Sequence, residues 1–178
     1  MLKRWKTLKS KKVFECPWYY LTEDKFELPN QKQGKYYVVQ THNSVLVIPL
    51  NIDRKILLIR QYRYPVNDFY YELPAGGIEK GDSVLTTAKK ELEEETGFRA
   101  KNFKKIGIYA PMNGLCKEIS TVYIASDLEK RKQKLESTEF IEVKAFSIKK
   151  VYKMIDENKI QDGMTLAALA IARKYLLK

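Results

Sequence analysis

Four glutamates, Glu91, Glu93, Glu94 and Glu95, crowd the last turns of a helix that Gly97 is placed to close. Residues 76–98 read GGIEKGDSVLTTAKKELEEETGF. Asp82 or Ser83 offers an N-cap oxygen, helix formers run through Ala88 and Leu92, and Gly97 suits C′, so a helix is predicted over 83–96. A helix C-terminus carries partial negative charge, and each carboxylate placed there costs about 0.3–1 kcal/mol. On a wheel of about 100° per residue, Leu85, Ala88 and Leu92 form the core stripe. Glu91 and Glu95 fall about 40° apart at its border beside Val84, and Glu94 lies about 60° beyond Glu91. Three carboxylates therefore converge where like-charge repulsion and incomplete hydration both oppose ionisation. One or two hard dications would remove the conflict, because Mg²⁺ takes oxygen ligands and keeps positions open for a phosphate. Alone, the KKELEEE segment reads as a solvated helix face; its neighbourhood argues otherwise. Glu72-Leu73-Pro74-Ala75-Gly76-Gly77 is a strand end and glycine-containing loop that brings backbone carbonyls beside the helix.

Gly76, Asp82 and then Lys90-Glu91-Leu92-Glu93-Glu94-Glu95-Thr96-Gly97-Phe98 resemble the Nudix box, G-x5-E-x7-R-E-U-x-E-E-x-G-U with U apolar. Asp82 stands where the box has Glu, and Lys90 where it has Arg. The resemblance implies that these two form an ion pair bracing the loop, here shortened and without the guanidinium fork. It further implies that Glu91 and Glu95 hold metal with Glu94 close by, and that the Ala75 carbonyl is a further ligand. The implied cofactor is Mg²⁺, with Mn²⁺ as the alternative. Ile59-Arg60-Gln61-Tyr62-Arg63-Tyr64-Pro65, Glu72-Leu73-Pro74-Ala75-Gly76 and Asp162-Gly163-Met164-Thr165-Leu166-Ala167-Ala168-Leu169 are similar to the ADP-ribose pyrophosphatase branch, over roughly 35–177. That likeness implies Arg63 on a diphosphate, with Arg60, Glu72 and Glu118 as further substrate contacts. Ala110-Pro111-Met112-Asn113-Gly114-Leu115-Cys116-Lys117-Glu118 keeps the Pro, Gly and Glu of the branch's post-box turn with altered spacing. The late catalytic glutamate of the family is implied at Glu139, or at Glu136, in Leu135–Val143, and Glu91 joins the catalytic set; Glu142 alternates with Ile141 and Val143 as a solvent-facing strand residue.

At 178 residues with 44% hydrophobic content the chain can fill one core, and no apolar run approaches the roughly 18 residues that cross a bilayer. Met1-Leu2-Lys3-Arg4-Trp5-Lys6 is basic without a following apolar stretch, so no signal peptide is expected. Cys16 and Cys116 lack metal-ligand spacing and read as reduced thiols of a cytoplasmic protein. His42 is the single histidine and excludes histidine-rich chemistry; it reads as a loop residue. The net charge of +11 is scattered through Lys9–Lys12, Lys130–Lys134 and Lys149-Lys150, which favours general attraction to anions over a nucleic-acid groove. A nucleic-acid or membrane partner is not expected, and RNA-directed Nudix chemistry is a minor alternative.

The expected fold is α+β, an α/β/α sandwich with a mixed sheet between helices, carrying a small N-terminal antiparallel sheet. Residues 1–40 are the expected N-terminal β-sheet region and 41–178 the hydrolase domain. Apolar-aromatic runs at 13–16, 18–21 and 35–40 flank a turn at Leu28-Pro29-Asn30-Gln31. A hairpin is predicted from 44–50 and 55–64 through Asn51-Ile52-Asp53-Arg54, then strands at 103–109, 119–125 and 141–146 and helices at 148–158 and 163–177. The branch resemblance implies a homodimer built on the N-terminal sheet, whose aromatics hold adenine. Trp18, Tyr36 and Tyr37 are candidates for stacking, competing with a plain core role. Hydrolysis of ADP-ribose to AMP and ribose 5-phosphate is the leading expectation. The alternatives are a nucleotide-sugar or dinucleotide pyrophosphatase of the same fold and a non-catalytic ADP-ribose-binding module.

Overall fold

The computed structural model describes residues 2–177. In chain order the elements are β1 (Lys6–Glu15), β2 (Tyr20–Glu27), β3 (Gln33–Gln40), β4 (Ser44–Pro49), β5 (Lys55–Arg63), β6 (Asp68–Glu72), β7 (Ala75–Gly77), α1 (Val84–Thr96), β8 (Phe98–Tyr109), β9 (Ser120–Lys130), β10 (Glu142–Ser147), α2 (Ile148–Asp156) and α3 (Gly163–Leu176). They divide into two compact units. The first takes the chain up to Asn43 together with Ala110–Ile119. The second takes Ser44–Tyr109 and the chain from Ser120 onward.

In the first unit β1, β2 and β3 form an antiparallel sheet. Gln31 takes a φ of 68° in the turn between β2 and β3. β1 begins seven residues before the expected run at Val13, because its first half is a lysine-rich stretch without an apolar signature. Loop 110–119 packs along β3: Leu115 accepts from the Val39 N–H at 2.9 Å, and the Tyr36 hydroxyl donates to the Gly114 carbonyl.

In the second unit two sheets flank a core. One runs β7-β4-β9-β8, the other β10-β5-β6. β4 is parallel to β9 and antiparallel to β7, so its sheet is mixed. All six residues of β4 are buried, which is what a continuous apolar strand covered on both faces requires. Leu46 and Ile48 point to a core filled by Ile56, Leu58, Val122 and residues of α2 and α3. Val45 and Val47 point the opposite way, against Ala88 and Leu92 of α1. Each fully buried Leu or Ile contributes about 1.5–3 kcal/mol. This is the α+β sandwich expected from the sequence.

Two local expectations are corrected. The predicted hairpin of β4 and β5 does not zip: the strands enter different sheets and meet at one isolated bridge, Leu50 with Ile56. Both are apolar enough to sit centrally, so other strands pair with their edges. Leu85, expected in the helix core stripe, is 37% exposed; Thr87 takes its place with Ala88 and Leu92. The stripe is rotated toward Glu95, which explains that residue's burial.

Candidate active site

The helix α1 is capped as its sequence dictates. Ser83 accepts from the Thr86 N–H, and Gly97 closes the far end at φ 70°. Glu95, 5% exposed, accepts a hydrogen bond from the Ala75 N–H at 3.0 Å. Gly76 lies so close to the helix that a Cβ there would fall 2.0 Å from Glu91 Oε1. Gly76, expected in a loop, lies in the short strand β7 paired to Val45, and it is required by a carboxylate, not by a turn.

Burial pushes the Glu91 carboxyl up to about 7, and the charge of Glu94 adds to the shift; Glu139 and Glu136 push the same way, while Lys90 opposes. Glu95 is raised well above the usual carboxylate range, again chiefly by burial, with the Ala75 N–H opposing and Glu91 and Glu139 reinforcing. Glu93 differs: Arg99 Nη2 lies 2.8 Å from its carboxylate and Lys134 Nζ 3.9 Å. The fold therefore neutralises Glu93 itself and leaves Glu91, Glu94 and Glu95 as a mutually repelling set.

Lys90 does not brace Asp82. Its ammonium lies 3.6 Å from Glu79 Oε1, and Asp82 caps the chain turn by donating its N–H to the Glu79 carbonyl. An aspartate is too short to reach back to α1, so the loop's next acid supplies the partner.

Arg63 and Glu72 sit on neighbouring strands and bind each other in two places, Nε to Oε1 at 2.8 Å and Nη2 to Oε2 at 2.5 Å. Glu72 is buried, and the Gln61 amide donates to its Oε2 at 3.2 Å. This pairing raises the Arg63 guanidinium further above its ordinary value. Half of the Arg63 side chain stays open, so a planar donor group is fixed in direction yet available to an anion. Arg60 instead lies over the rings of Phe69 and Tyr71, at 5.2 and 5.6 Å.

Glu139 and Glu136 share one loop, closed on itself: the Glu139 carboxylate accepts from the Glu136 N–H at 2.9 Å, and the Glu139 N–H donates to the Glu136 carbonyl at 3.0 Å. Both carboxylates push the Glu91 carboxyl further up, after burial and Glu94. Glu142 is exposed and pairs with Lys144, the solvent-facing place expected for it.

Trp18, Tyr37 and Glu118 belong to the first unit. Trp18 is 74% exposed, and the Tyr37 hydroxyl donates to Glu23 at 2.8 Å. Glu118 lines a cavity of about 500 Å³ with Tyr19, Leu21 and Met112.

A NUDIX domain matches residues 40–168, and a nucleoside diphosphate sugar hydrolase N-terminal domain matches residues 5–39. The chain belongs to the Nudix family. It is 32% identical to the ADP-ribose pyrophosphatase of Bacillus subtilis (strain 168) over 166 residues, 92% of this chain and 90% of that one. The methanol dehydrogenase activator of Bacillus methanolicus matches with the same identity and coverage. A crystal structure of an ADP compounds hydrolase shares the fold with a TM-score of 0.89 at 20% identity, covering 99% of this chain and 96% of that one.

Nudix hydrolases generally need a divalent metal. The donor chemistry here fits one: the carboxylates of Glu91 and Glu95 are oxygen ligands that repel each other, and Glu94 adds a third charge. Among the described residues no group of three His, Cys, Asp or Glu closes into a cage. The acids instead line one helix face, so an ion held by Glu91 and Glu95 would need further oxygen ligands from outside the side chains. Gln61 and Glu79 take parts here that the sequence reading did not assign. The period of β5 could have found Gln61, since it puts the amide on the same strand face as Arg63.

Proposed function

We propose that this Nudix enzyme hydrolyses the pyrophosphate bond of a nucleoside diphosphate derivative in the presence of Mg²⁺, with ADP-ribose the leading substrate and AMP and ribose 5-phosphate the products. One observation carries the reading: Glu91 and Glu95, neighbours on α1, are held with weakened acidity against the Gly76 loop. A chain that only bound an anion would gain nothing from burying carboxylates together. The relatives' names support the substrate class.

Glu91, Glu95 and the Ala75 carbonyl hold Mg²⁺, or Mn²⁺ in its place, and Glu94 adds charge. When bound, the ion supplies charge neutralisation on the diphosphate and acidifies water. Arg63 binds diphosphate oxygens, and the buried Glu72 serves the substrate through Arg63 rather than by touching it; Arg60 and Glu118 are the further substrate contacts. Glu139 accepts the proton of the attacking water, with Glu136 as the second candidate. The water oxygen bonds to phosphorus, the bridging P–O bond breaks, and the departing phosphate takes its electron pair. Trp18 and Tyr37 stack on adenine, worth about 1–3 kcal/mol per base.

The protein acts as a homodimer, with the N-terminal β-sheet region as its dimerising part. Every residue of β1 is exposed, and Trp5, Phe14 and Trp18 stand partly open to solvent, apolar groups that a second copy would cover. A cytoplasmic setting fits the two free thiols, Cys16 and Cys116. No helix among the described residues is long and apolar enough to cross a membrane.

Incubation with ADP-ribose, ADP-glucose, GDP-mannose and dinucleotides, each with Mg²⁺ or Mn²⁺, tests the reading. Release of AMP and ribose 5-phosphate from ADP-ribose is expected. Binding of ADP-ribose without AMP release would make the chain a binding module instead.

A further inference from the structure

Asp162-Gly163-Met164-Thr165 opens α3 and has no task in the chemistry above. Asp162 caps the helix by accepting from the Thr165 N–H at 2.7 Å. The hydroxyl of Thr165 serves a different partner. It accepts a hydrogen bond from the Leu73 N–H at 2.9 Å, and both residues are buried, at 0% and 1% exposure.

Leu73 stands between two working groups. Glu72, one residue before it, aims Arg63; Ala75, two residues after it, donates to Glu95. The segment's polar groups are each tied to a different element: Leu73 N–H to α3, the Pro74 carbonyl to Val47 of β4 at 2.9 Å, and Ala75 N–H to α1. Pro74 has no N–H, so the donors of the segment are the Leu73 and Ala75 N–H groups on either side of it, and the Thr165 hydroxyl holds the first.

We infer that Thr165 is a positioning residue for the active site: its hydroxyl fixes Leu73, and through it sets the Arg63–Glu72 pair and the Ala75–Glu95 contact relative to each other. The inference rests on the hydrolase reading above. Loss of the acceptor leaves the Leu73 N–H buried without a partner, and the segment relieves this only by shifting. A shift of about 1 Å at a positioned group is enough to depress turnover strongly.

The test compares Thr165→Val, which keeps the shape and removes the acceptor, with Thr165→Ser, which keeps the hydroxyl. Turnover of ADP-ribose, the Mg²⁺ concentration for half-maximal rate, and amide exchange at Leu73 and Ala75 are measured for each. In Thr165→Val, kcat is expected to fall by about 10–100-fold, more Mg²⁺ to be needed, and the Ala75 amide to exchange faster, with Thr165→Ser restoring all three. Should Thr165→Val fail to fold, Thr165→Cys, whose sulfur is a weak acceptor, replaces it with the same expectations. A folded acceptor-less variant whose turnover and Mg²⁺ requirement stay within about twofold of the unsubstituted chain overturns the inference, because a second-layer contact of this kind should cost more. If the unsubstituted chain does not hydrolyse ADP-ribose, the functional reading fails, and the exchange rate of Ala75 alone decides the inference: unchanged exchange overturns it, faster exchange upholds the tether.

Discussion

Glu93 and Glu95 are two residues apart on α1 and live in opposite electrostatic surroundings. Glu93 has Arg99 and Lys134; Glu95 is buried with one backbone N–H. Glu95→Gln should therefore lower kcat by about 10²–10³-fold while the melting temperature holds or rises, since the amide oxygen can still accept from the Ala75 N–H and the buried side chain can no longer ionise. Glu93→Gln should leave kcat within about threefold, because its carboxylate is already engaged by Arg99 and Lys134; the loss of that half-buried pair should show in the melting temperature instead. Steady-state kinetics with matched thermal melts separate the two. Arg63→Lys keeps the charge but gives up the two-point grip on Glu72, so KM for the diphosphate should rise by about tenfold with a smaller change in kcat.

At the scale of elements, the capped helix α1 was legible because its signals are local. Ser83, the apolar spacing of Ala88 and Leu92, and Gly97 each act on the residues beside them. What was not legible came from distant partners. β4 and β5 have the pattern of a hairpin, yet β9 and β10 take their edges from far along the chain. The sequence put Glu91 and Glu95 together on one half-buried border of α1, but the rotation that buries Glu95 and exposes Leu85 goes with the packing of Ala88 and Leu92 against Val45 and Val47 of β4. The Lys90 brace likewise went to Glu79, because side-chain reach decides a pairing that sequence spacing alone leaves open. Gly76→Ala tests the closeness of β7 and α1. Its Cβ would meet Glu91 at Oε1 and, at 2.7 Å, at Cγ, so the glutamate must swing away. Activity should fall by about tenfold or more through the lost ligand geometry, with circular dichroism of the folded state unchanged.

For the whole molecule, the raised carboxyls of Glu91 and Glu95 couple protons to stability. An acid whose folded pKa exceeds its ordinary 4.5 binds more protons folded than unfolded between the two values. The metal-free chain therefore carries no penalty from Glu91 below about 4.5, loses stability as pH rises toward about 7, and keeps the full loss above it. A dication bound to the ionised pair reverses that loss. Mg²⁺ should thus raise the melting temperature by several degrees near about pH 8 and by little near about pH 5, by scanning calorimetry at both. Equal shifts at the two pH values would separate the ion from these acids. The decisive measurement is the anomalous difference density of a crystal grown with Mn²⁺. Density within carboxylate-bonding distance of Glu91 and Glu95, lost in Glu95→Gln, is the expected result. Density elsewhere, with those two side chains turned to solvent, would contradict the account.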